Sequence, residues 1–387
     1  MANNTNAAAF GQSNTASGKQ STAVGQANTA SKTSTTAVGD ANTASAVGAS
    51  AVGQANIASA ANASAFGQSN TASAASTTAV GTQNTASVLR SVAVGTGNTA
   101  SSTNAAAFGT NNVSSGGLSV AVGTNNTANN SRTVAIGTQS TASGLQAIAI
   151  GNTATASGAF GIAIGSVAKA TNFSTTAVGD AATASGSQAS AFGQSATAAA
   201  TNSTAIGFNA RVAAVATNGT SVGANANVLA VNGTALGSNS LVQAAAFNSV
   251  AIGQGSIATQ PQTVSVGVPG GERRITNVAP GIFNTDAVNV SQLSTAVAGL
   301  QQQIDANQRE ARSGVALALA SAGLQYDPRP GKLSVATAVG AFKGESGIAA
   351  GIGYSLPDSR WRFNASFTAS PQSNNYGGTV GSSWTLN

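Results

Sequence analysis

The 387-residue sequence contains no cysteine, no histidine and one methionine, and only 6% of its residues are charged. Zinc and haem sites, thiol nucleophiles and imidazole general bases depend on cysteine or histidine, so these kinds of enzyme are excluded. Without cysteine, no disulfide framework can form. We therefore expect a structural or binding protein with no catalytic residues, no cofactor and no metal site.

Charged and aromatic side chains are unevenly distributed along the chain. Residues 1–268 contain no glutamate, tyrosine or tryptophan, and their charged residues are Lys19, Lys32, Asp40, Arg90, Arg132, Lys169, Asp180 and Arg211. The formal net charge of +6 is therefore spread thinly along the chain. The sequence lacks the clusters of Lys and Arg with neighbouring aromatic residues that are typical of nucleic-acid-binding surfaces. We expect no nucleic-acid binding, and the change in composition predicts a domain boundary near residue 268.

A glycine preceded by a bulky apolar residue recurs throughout residues 1–268. It stands at every fourteenth position from Gly11 to Gly207, and then at Gly223, Gly237, Gly253 and Gly267. A helical hairpin repeat needs more than about 30 residues, whereas one short strand per coil fits the shorter period. The pattern predicts a β-solenoid of 19 coils, which at about 4.8 Å per stacked strand would be a rod on the order of 90 Å long.

Two columns of this repeat predict which side chains face inward. The pre-glycine column, directly before the motif glycine, is always bulky, and we expect it to fill the coil interior; its central members are Val94, Phe108, Val122, Ile136 and Ile150. The alanine column, one residue earlier, should face the opposite way because strand side chains alternate. A solvated face has no reason to exclude long polar side chains, so we expect this column to pack against another chain. Its central members are Ala93, Ala107, Ala121, Ala135 and Ala149.

An asparagine column stands three residues after the motif glycine. It runs without interruption from Asn14 to Asn126. Stacked asparagine side chains can hydrogen-bond from coil to coil, so we predict a ladder along the rod. Because each coil has few bulky residues, one rod alone would bury little apolar surface against its chain entropy, and we expect chains to associate.

Beyond Gly267 the pattern becomes that of a helix. Residues 285–289 are typical of a helix cap, and apolar residues then follow at steps of four and three for about three heptads. We expect a short coiled coil whose seam contains Leu293, Val297, Leu300, Ile304 and Asn307. The usual rule for residues in a coiled-coil seam favours two chains here, and Asn307 is expected to set the register.

The last segment predicts four strands, at residues 331–342, 347–356, 360–369 and 376–387. Each alternates apolar with small or polar residues and carries aromatic residues near its ends, as transmembrane β-strands do. We expect a lipid-facing belt of Tyr354, Trp361, Phe363, Phe367, Tyr376 and Trp384. Four strands cannot close a barrel, so two chains would share one of 8 strands or three chains one of 12. The segment 313–323, small at every other position, is expected to occupy the lumen.

These segments together resemble the trimeric autotransporter adhesins of the YadA-like family. Residues 248–253 are similar to the head repeat of that family, residues 273–281 and 285–293 to its neck, and residues from Pro330 onward to its membrane anchor. The resemblance implies a homotrimer with a left-handed parallel β-roll head, a neck, a coiled-coil stalk and a 12-stranded transmembrane β-barrel traversed by three helices. The fold class would be all-β with a short α coiled coil.

The resemblance also implies a function and a set of boundaries. The protein would be a bacterial surface adhesin, anchored in outer-membrane lipid by a domain that serves as its own translocation pore, with an extracellular head that binds host matrix, cells or other surfaces. The domains would be a head at 1–268, a neck at 269–293, a stalk and pore helix at 294–323 and an anchor at 324–387. The neck residues that carry over are Asn277, Val278, Gly281, Asp286, Asn289 and Leu293.

The sequence departs from this family at both ends. Met1 is followed by polar repeat without an apolar run, so we expect a mature or trimmed chain that lacks its export signal. The last residue is Asn387, whereas barrels of the family usually end on an aromatic residue.

Two other classes of protein fit parts of the pattern. A secreted or phage-fibre-like structural rod would share the trimeric coils but not the lipid-facing strands. An ice-binding solenoid is suggested by the threonine that usually follows the asparagine column, although Ile57, Val113 and Lys169 interrupt that ladder.

Overall fold

The computed structural model describes residues 1–386, so the terminal Asn387 lies outside the described residues. The chain divides into two compact units, the first ending at Arg273 and the second beginning at Arg274. The first unit, which we call the head, is a stack of parallel coils, and the second contains one long helix and an antiparallel sheet. Among the described residues, no helix combines the length and the apolar character that crossing a membrane requires.

Each coil of the head except the last contains a longer and a two-residue strand, and the last coil contains only Val264–Ser265. Strands of each kind pair in parallel with their counterparts in the neighbouring coils, so that Gly81 lies beside Gly95 and Thr85 beside Thr99. The register also holds across a 16-residue step, where Thr204 pairs with Thr220. The predicted parallel solenoid is therefore confirmed, but the prediction of one strand per coil is wrong.

The longer strands are Ala8–Gln12, Thr22–Gln26, Thr36–Asp40, Ser50–Gln54, Ser64–Gln68, Thr78–Thr82, Val92–Thr96, Ala106–Thr110, Val120–Thr124, Val134–Thr138, Ile148–Asn152, Ile162–Ile164, Thr176–Val178, Ser190–Phe192, Thr204–Ile206, Thr220–Val222, Thr234–Leu236, Val250–Ile252 and Val264–Ser265. The two-residue strands are Thr15–Ala16, Thr29–Ala30, Thr43–Ala44, Ile57–Ala58, Thr71–Ala72, Thr85–Ala86, Thr99–Ala100, Val113–Ser114, Thr127–Ala128, Thr141–Ala142, Thr155–Ala156, Lys169–Ala170, Thr183–Ala184, Thr197–Ala198, Arg211–Val212, Asn227–Val228, Leu241–Val242 and Ile257–Ala258.

The pre-glycine and alanine columns face the opposite way to the prediction. From the coil of Gly11 to that of Gly193, the interior is lined only by alanine, serine, threonine, asparagine and glycine, so it has no room for a bulky side chain. The predicted core residues therefore point outward, and Phe108 keeps 38% of its surface exposed. Five residues that were predicted to fill the core therefore lie on the outer surface: Val94, Phe108, Val122, Ile136 and Ile150. Five alanines that were predicted to form an interface lie in the coil interior and have no exposed surface: Ala93, Ala107, Ala121, Ala135 and Ala149.

The asparagine column lies inside the coils and forms the predicted ladder. Asn84 Nδ2 donates to Oδ1 of Asn70 at 2.9 Å and to the Gly95 carbonyl of the next coil at 2.6 Å. Its own Oδ1 accepts from the backbone N–H and the side-chain amide of Asn98, each at 3.0 Å. The side-chain ladder runs from Asn14 to Asn126. Each buried amide is therefore paired, which makes its burial tolerable.

The long strands shorten where the asparagine column ends. The column continues after Asn126 with Ser140, then with alanine from Ala154 to Ala226, and ends with Ser240 and Ser256. From Ile162 onward the long strands have three residues or fewer instead of five. An asparagine amide binds the glycine carbonyl of the next coil and so keeps the backbone after the glycine in the ladder. Alanine has no such donor, and the strand ends before the glycine.

Arg273 closes the open end of the solenoid. Its Nη1 donates to Ser256 Oγ at 2.6 Å and to the Val266 carbonyl at 2.7 Å, and its Nη2 donates to the Gln254 carbonyl. Equivalent carbonyls of earlier coils accept from the coil that follows. The guanidinium therefore pairs groups that would otherwise be left unsatisfied at the last coil.

The second unit consists of an irregular segment, a helix and four strands. The helix Val290–Ala322 is capped by Asn289, which forms a capping box with Gln292, so the predicted cap is confirmed. The strands follow as an antiparallel meander in chain order. All four predicted strands are present, and their bounds are Leu333–Phe342, Glu345–Ser355, Trp361–Ala369 and Tyr376–Trp384.

Candidate functional site

The outer side of the long strands forms an apolar surface along the head, which we call the long-strand face. It contains the pre-glycine column and the residues two positions earlier, because both point away from the coil interior. Each phenylalanine of the pre-glycine column stands beside an alanine or serine: Phe10 with Ala8, Phe66 with Ser64, Phe108 with Ala106 and Phe192 with Ser190. The small residue beside each phenylalanine offsets the volume of the ring. A solvated surface needs no such compensation, so this face has the character of a packed interface.

A hydrogen-bonded network precedes the helix, in the segment that resembles a neck. The Gln292 side chain accepts from the Gly281 N–H at 2.9 Å and donates to the Gly281 carbonyl at 3.0 Å. Asn289 Nδ2 donates to the Val278 carbonyl at 3.1 Å. Asp286 accepts from two backbone N–H groups on the preceding turn, at 2.9 and 3.0 Å. Four of the predicted neck residues therefore meet in one place.

The remaining neck positions lie at the border of this network. Asn277 adopts a left-handed backbone with φ of 61°, which asparagine tolerates better than most residues. Leu293 is 58% exposed and makes no part of the network. The sequence analysis missed Gln292, although a glutamine three residues after a capping asparagine is the signal of a capping box.

We expect the neck turn to loosen in acid. The backbone amides of Phe283 and Ile282 hold the pKa of Asp286 below its usual value of 3.8, because they stabilise the carboxylate. A lowered folded-state pKa contributes stability above the unfolded pKa, and this is lost as the pH falls through the folded one. Pepsin cleavage after Phe283 should therefore accelerate below pH 3.8 more in the native chain than in Asp286→Asn, which cannot titrate. Identical pH profiles for the two chains would contradict this role.

The helix carries an apolar stripe that no other described residue of the chain covers. Leu293, Val297, Leu300 and Ile304 are all exposed, and they recur at heptad spacing. Asn307 continues the same row and is also exposed. Such a stripe is buried when it packs against other helices, so the coiled-coil seam stays a prediction about partner chains.

One side of the four-stranded sheet, its outer face, is apolar and aromatic at both ends. Trp361 stacks on Trp384 with ring centroids 5.6 Å apart, and Phe367 stacks on Tyr376 at 6.5 Å near the opposite ends of the strands. Tyr354 and Phe363 are exposed opposite one another on adjacent strands. The third strand has nine residues, and a tilted strand needs about 9–11 residues to cross a membrane.

The other side of the sheet, its inner face, is lined by small or polar residues, and the end of the helix covers part of it. A Cβ at Gly347 would lie 2.9 Å from the backbone of Ala316, and one at Gly340 would also collide with Ala316. Glycine therefore permits the close approach of the helix. The segment 313–323, which was predicted to occupy the lumen of the barrel, packs against this face, and its buried residues are Ser313, Ala316, Leu317 and Ala320.

The sheet has two open edges in the part of the chain that the structure describes. The strands Leu333–Phe342 and Tyr376–Trp384 each pair on one side only. Unpaired backbone groups are not tolerated in lipid, and long exposed edges recruit further strands. The sheet is therefore incomplete without additional copies.

A parallel solenoid, an unpartnered helical stripe and an open sheet with one apolar face define a fibrous, membrane-anchored class of protein. Comparison with known families agrees for each part. The coiled stalk of trimeric autotransporter adhesin matches residues 274–316 and the YadA-like membrane anchor domain matches 325–386. The YadA head domain repeat matches residues 2–28, 89–112, 114–140, 142–168, 170–194, 184–210, 214–240 and 244–268.

The chain belongs to the YadA-like family of trimeric autotransporter adhesins, as the sequence resemblance predicted. Its four-stranded sheet is one chain's contribution to a barrel formed by three. The family assignment therefore explains why the sheet and the helical stripe are incomplete in one chain.

Relatives in the family share parts of this sequence. Autotransporter adhesin BtaF of Brucella suis is 46% identical over 97 residues, which are 25% of this chain and 34% of that protein. Autotransporter adhesin NhhA of Neisseria meningitidis is 36% identical over 147 residues, which are 36% of this chain and 24% of that protein. The chain thus spans about a third or less of the curated relatives that it matches. The crystal structure of the collagen-binding domain of the Yersinia adhesin YadA is 28% identical, with a TM-score of 0.28 over 47% of this chain and 84% of that domain.

Proposed function

We propose that three copies of this chain form a non-enzymatic adhesin in a bacterial outer membrane, with the head at the cell surface. The observation that carries the proposal is the anchor sheet, which has an apolar outer face of membrane height and two open edges. Three such sheets supply twelve strands, which can close a barrel without an unpaired edge. The match to the YadA-like membrane anchor supports an outer-membrane location with the belt residues against lipid.

In this trimer, we place the long-strand face of the head at the contacts between chains. The compensation between Phe108 and Ala106, and in the other three pairs, supports this position because packed surfaces conserve volume. This interface replaces the one predicted at the alanine column. The exposed helical stripe then becomes the seam of a coiled coil of three chains.

We propose four domains along the chain. They are a head at 1–268, a neck at 269–293, a stalk and pore helix at 294–323 and an anchor at 324–387. The neck network supports the second of these because it lies between the last coil and the exposed stripe of the helix.

We propose that the head binds host matrix, cells or other surfaces through many weak contacts. It has no tryptophan or tyrosine and only six Lys or Arg residues before residue 268, whereas tight interfaces usually depend on such anchors. Three chains repeat the same polar coil surface many times. Linked weak sites can gain roughly 10²–10⁴-fold in avidity when the partner is also repetitive.

The test is to express the chain behind an export signal in a Gram-negative host. We expect a detergent-extracted trimer, a head that trypsin reaches on intact cells, and adhesion of these cells to matrix-coated or abiotic surfaces. Cells that display only residues 269–387 are the control for adhesion. A water-soluble monomer would contradict the anchor, and equal adhesion of the control cells would contradict the role of the head.

A further inference from the structure

The side chain of Tyr326 packs against two glycines, Gly351 and Gly353, on the inner face of the four-stranded sheet. It follows the end of the helix at Ala322 by four residues. A Cβ at Gly353 would come within 2.7 Å of the Tyr326 ring, and one at Gly351 would collide with its hydroxyl oxygen. Any side chain at these two positions would therefore displace the ring or the strand.

The backbone beside Tyr326 is held by the first two strands of the sheet. The Asp327 N–H donates to Ser334 Oγ at 3.1 Å, and Ser355 Oγ donates to the Asp327 carbonyl at 3.3 Å. Arg329 forms an ion pair with the Asp327 carboxylate at 2.6 Å and lowers its pKa to about 2. This carboxylate is therefore ionised at neutral pH, and the two hydrogen bonds to Ser334 and Ser355 join the linker that carries Tyr326 to the sheet.

The helix and Tyr326 cover successive parts of the same strand. Gly347, near the start of Glu345–Ser355, is covered by the helix backbone at Ala316, whereas Gly351 and Gly353, near its end, are covered by Tyr326. The last helix residue buried against the sheet is Ala320. Tyr326 thus continues the cover of the inner face beyond the helix.

We propose that Tyr326 seals the lumen of the trimeric anchor beyond the end of the helix. The proposal rests on the proposed function, because the lumen exists only when three chains close the barrel. In that barrel, three tyrosine rings lie against the inner wall, each on the two glycines of its own sheet. Glycine leaves the inner wall clear while an unfolded chain passes through the pore, and the bulky ring fills that space once the linker has docked.

The experiment compares full-length trimers in planar lipid bilayers. Tyr326→Ala should raise the ion conductance severalfold, whereas Tyr326→Phe, which keeps the ring, should leave it unchanged. Gly353→Val should also raise the conductance, because its side chain takes the place of the ring. The matched controls Tyr376→Ala and Gly378→Ala remove a tyrosine and add a methyl group on the outer face of the same sheet, and both should conduct like the native trimer.

Assembly and sealing are measured separately. Native chains that give no trimer in detergent would refute the proposed function before conductance is compared. Trimers of Tyr326→Ala that conduct like native ones would overturn the seal. If the Tyr326→Ala chains do not assemble, the conductance of the Gly353→Val trimer is the test. A conductance equal to that of the native trimer would then overturn the proposal.

Discussion

Replacing Ala121 by leucine is expected to unfold the coil that contains it rather than to separate folded chains. Ala121 has no exposed surface, and it stacks between Ala107 and Ala135 in the long-strand ladder. The interior around it is lined only by small, fully buried side chains, so the opposite walls of the coil lie too close together to admit a larger one. Overpacking a close-packed core costs about 1–3 kcal/mol or more, and the change occurs in every chain of the trimer.

Hydrogen exchange of the detergent-solubilised trimer measures this effect coil by coil. We expect Ala121→Leu to accelerate exchange in the strand Val120–Thr124 and in its two neighbours. Thr127→Leu is the matched control, because it adds bulk on the outward side of the two-residue strand in the same coil, away from the long-strand face, and should preserve coil protection. Normal protection in Ala121→Leu together with loss of the trimer would show that the alanine column faces another chain after all.

Replacing Asn84 by leucine is expected to break the head into two independently stable parts. Leucine has a similar size but no amide, so the carbonyls of Val80 and Gly95 lose their donor. Asn98 loses the acceptor of its N–H and amide groups as well. An unsatisfied buried polar group costs about 1–3 kcal/mol, and this substitution leaves several in one coil. The stack is a one-dimensional array, so damage at its middle separates the flanking coils.

Thermal unfolding followed by limited proteolysis measures this effect. We expect a lower melting temperature and new cleavage between residues 78 and 100, with the coils on either side still protected. Thr85→Val is the matched control, because Thr85 lies on the outer side of the adjacent two-residue strand. The melting temperature of this variant should be within a few degrees of that of the native chain. A native melting curve for Asn84→Leu would mean that the ladder contributes little to stability.

The asparagine ladder determines which way the two-residue strand faces, and this link was available in the sequence. A ladder of buried asparagines requires that column to point inward. Alternation then places the alanine two residues later inside as well, as in Ala86 after Asn84. The long strand faces the same interior, and the distance between the two strands decides whether it contributes small or bulky residues. The prediction failed because it assigned bulk to the inside without considering the width of the coil.

The sequence predicted some residues of the candidate sites and missed others, because only some of their contacts are local in the chain. The neck residues Asp286 and Asn289 are short polar side chains that bind nearby backbone, so their roles follow from local turn and cap patterns. Arg273 and Tyr326 act on residues that are distant in sequence, at Gln254 and Gly353. A single arginine or tyrosine carries no local signal for such contacts, so the sequence did not reveal them.

The sequence by itself determined the period and number of coils, the asparagine ladder, the helix cap and the four amphipathic strands. Each of these depends on spacing along the chain or on the hydrogen-bonding capacity of one residue type. Only the tertiary structure decided that the alanine column is inside and that glycines on the inner face receive the helix and Tyr326. Alternation defines two faces of a strand, but the space between two packed elements decides which face is buried. That space exists only once the chain has folded.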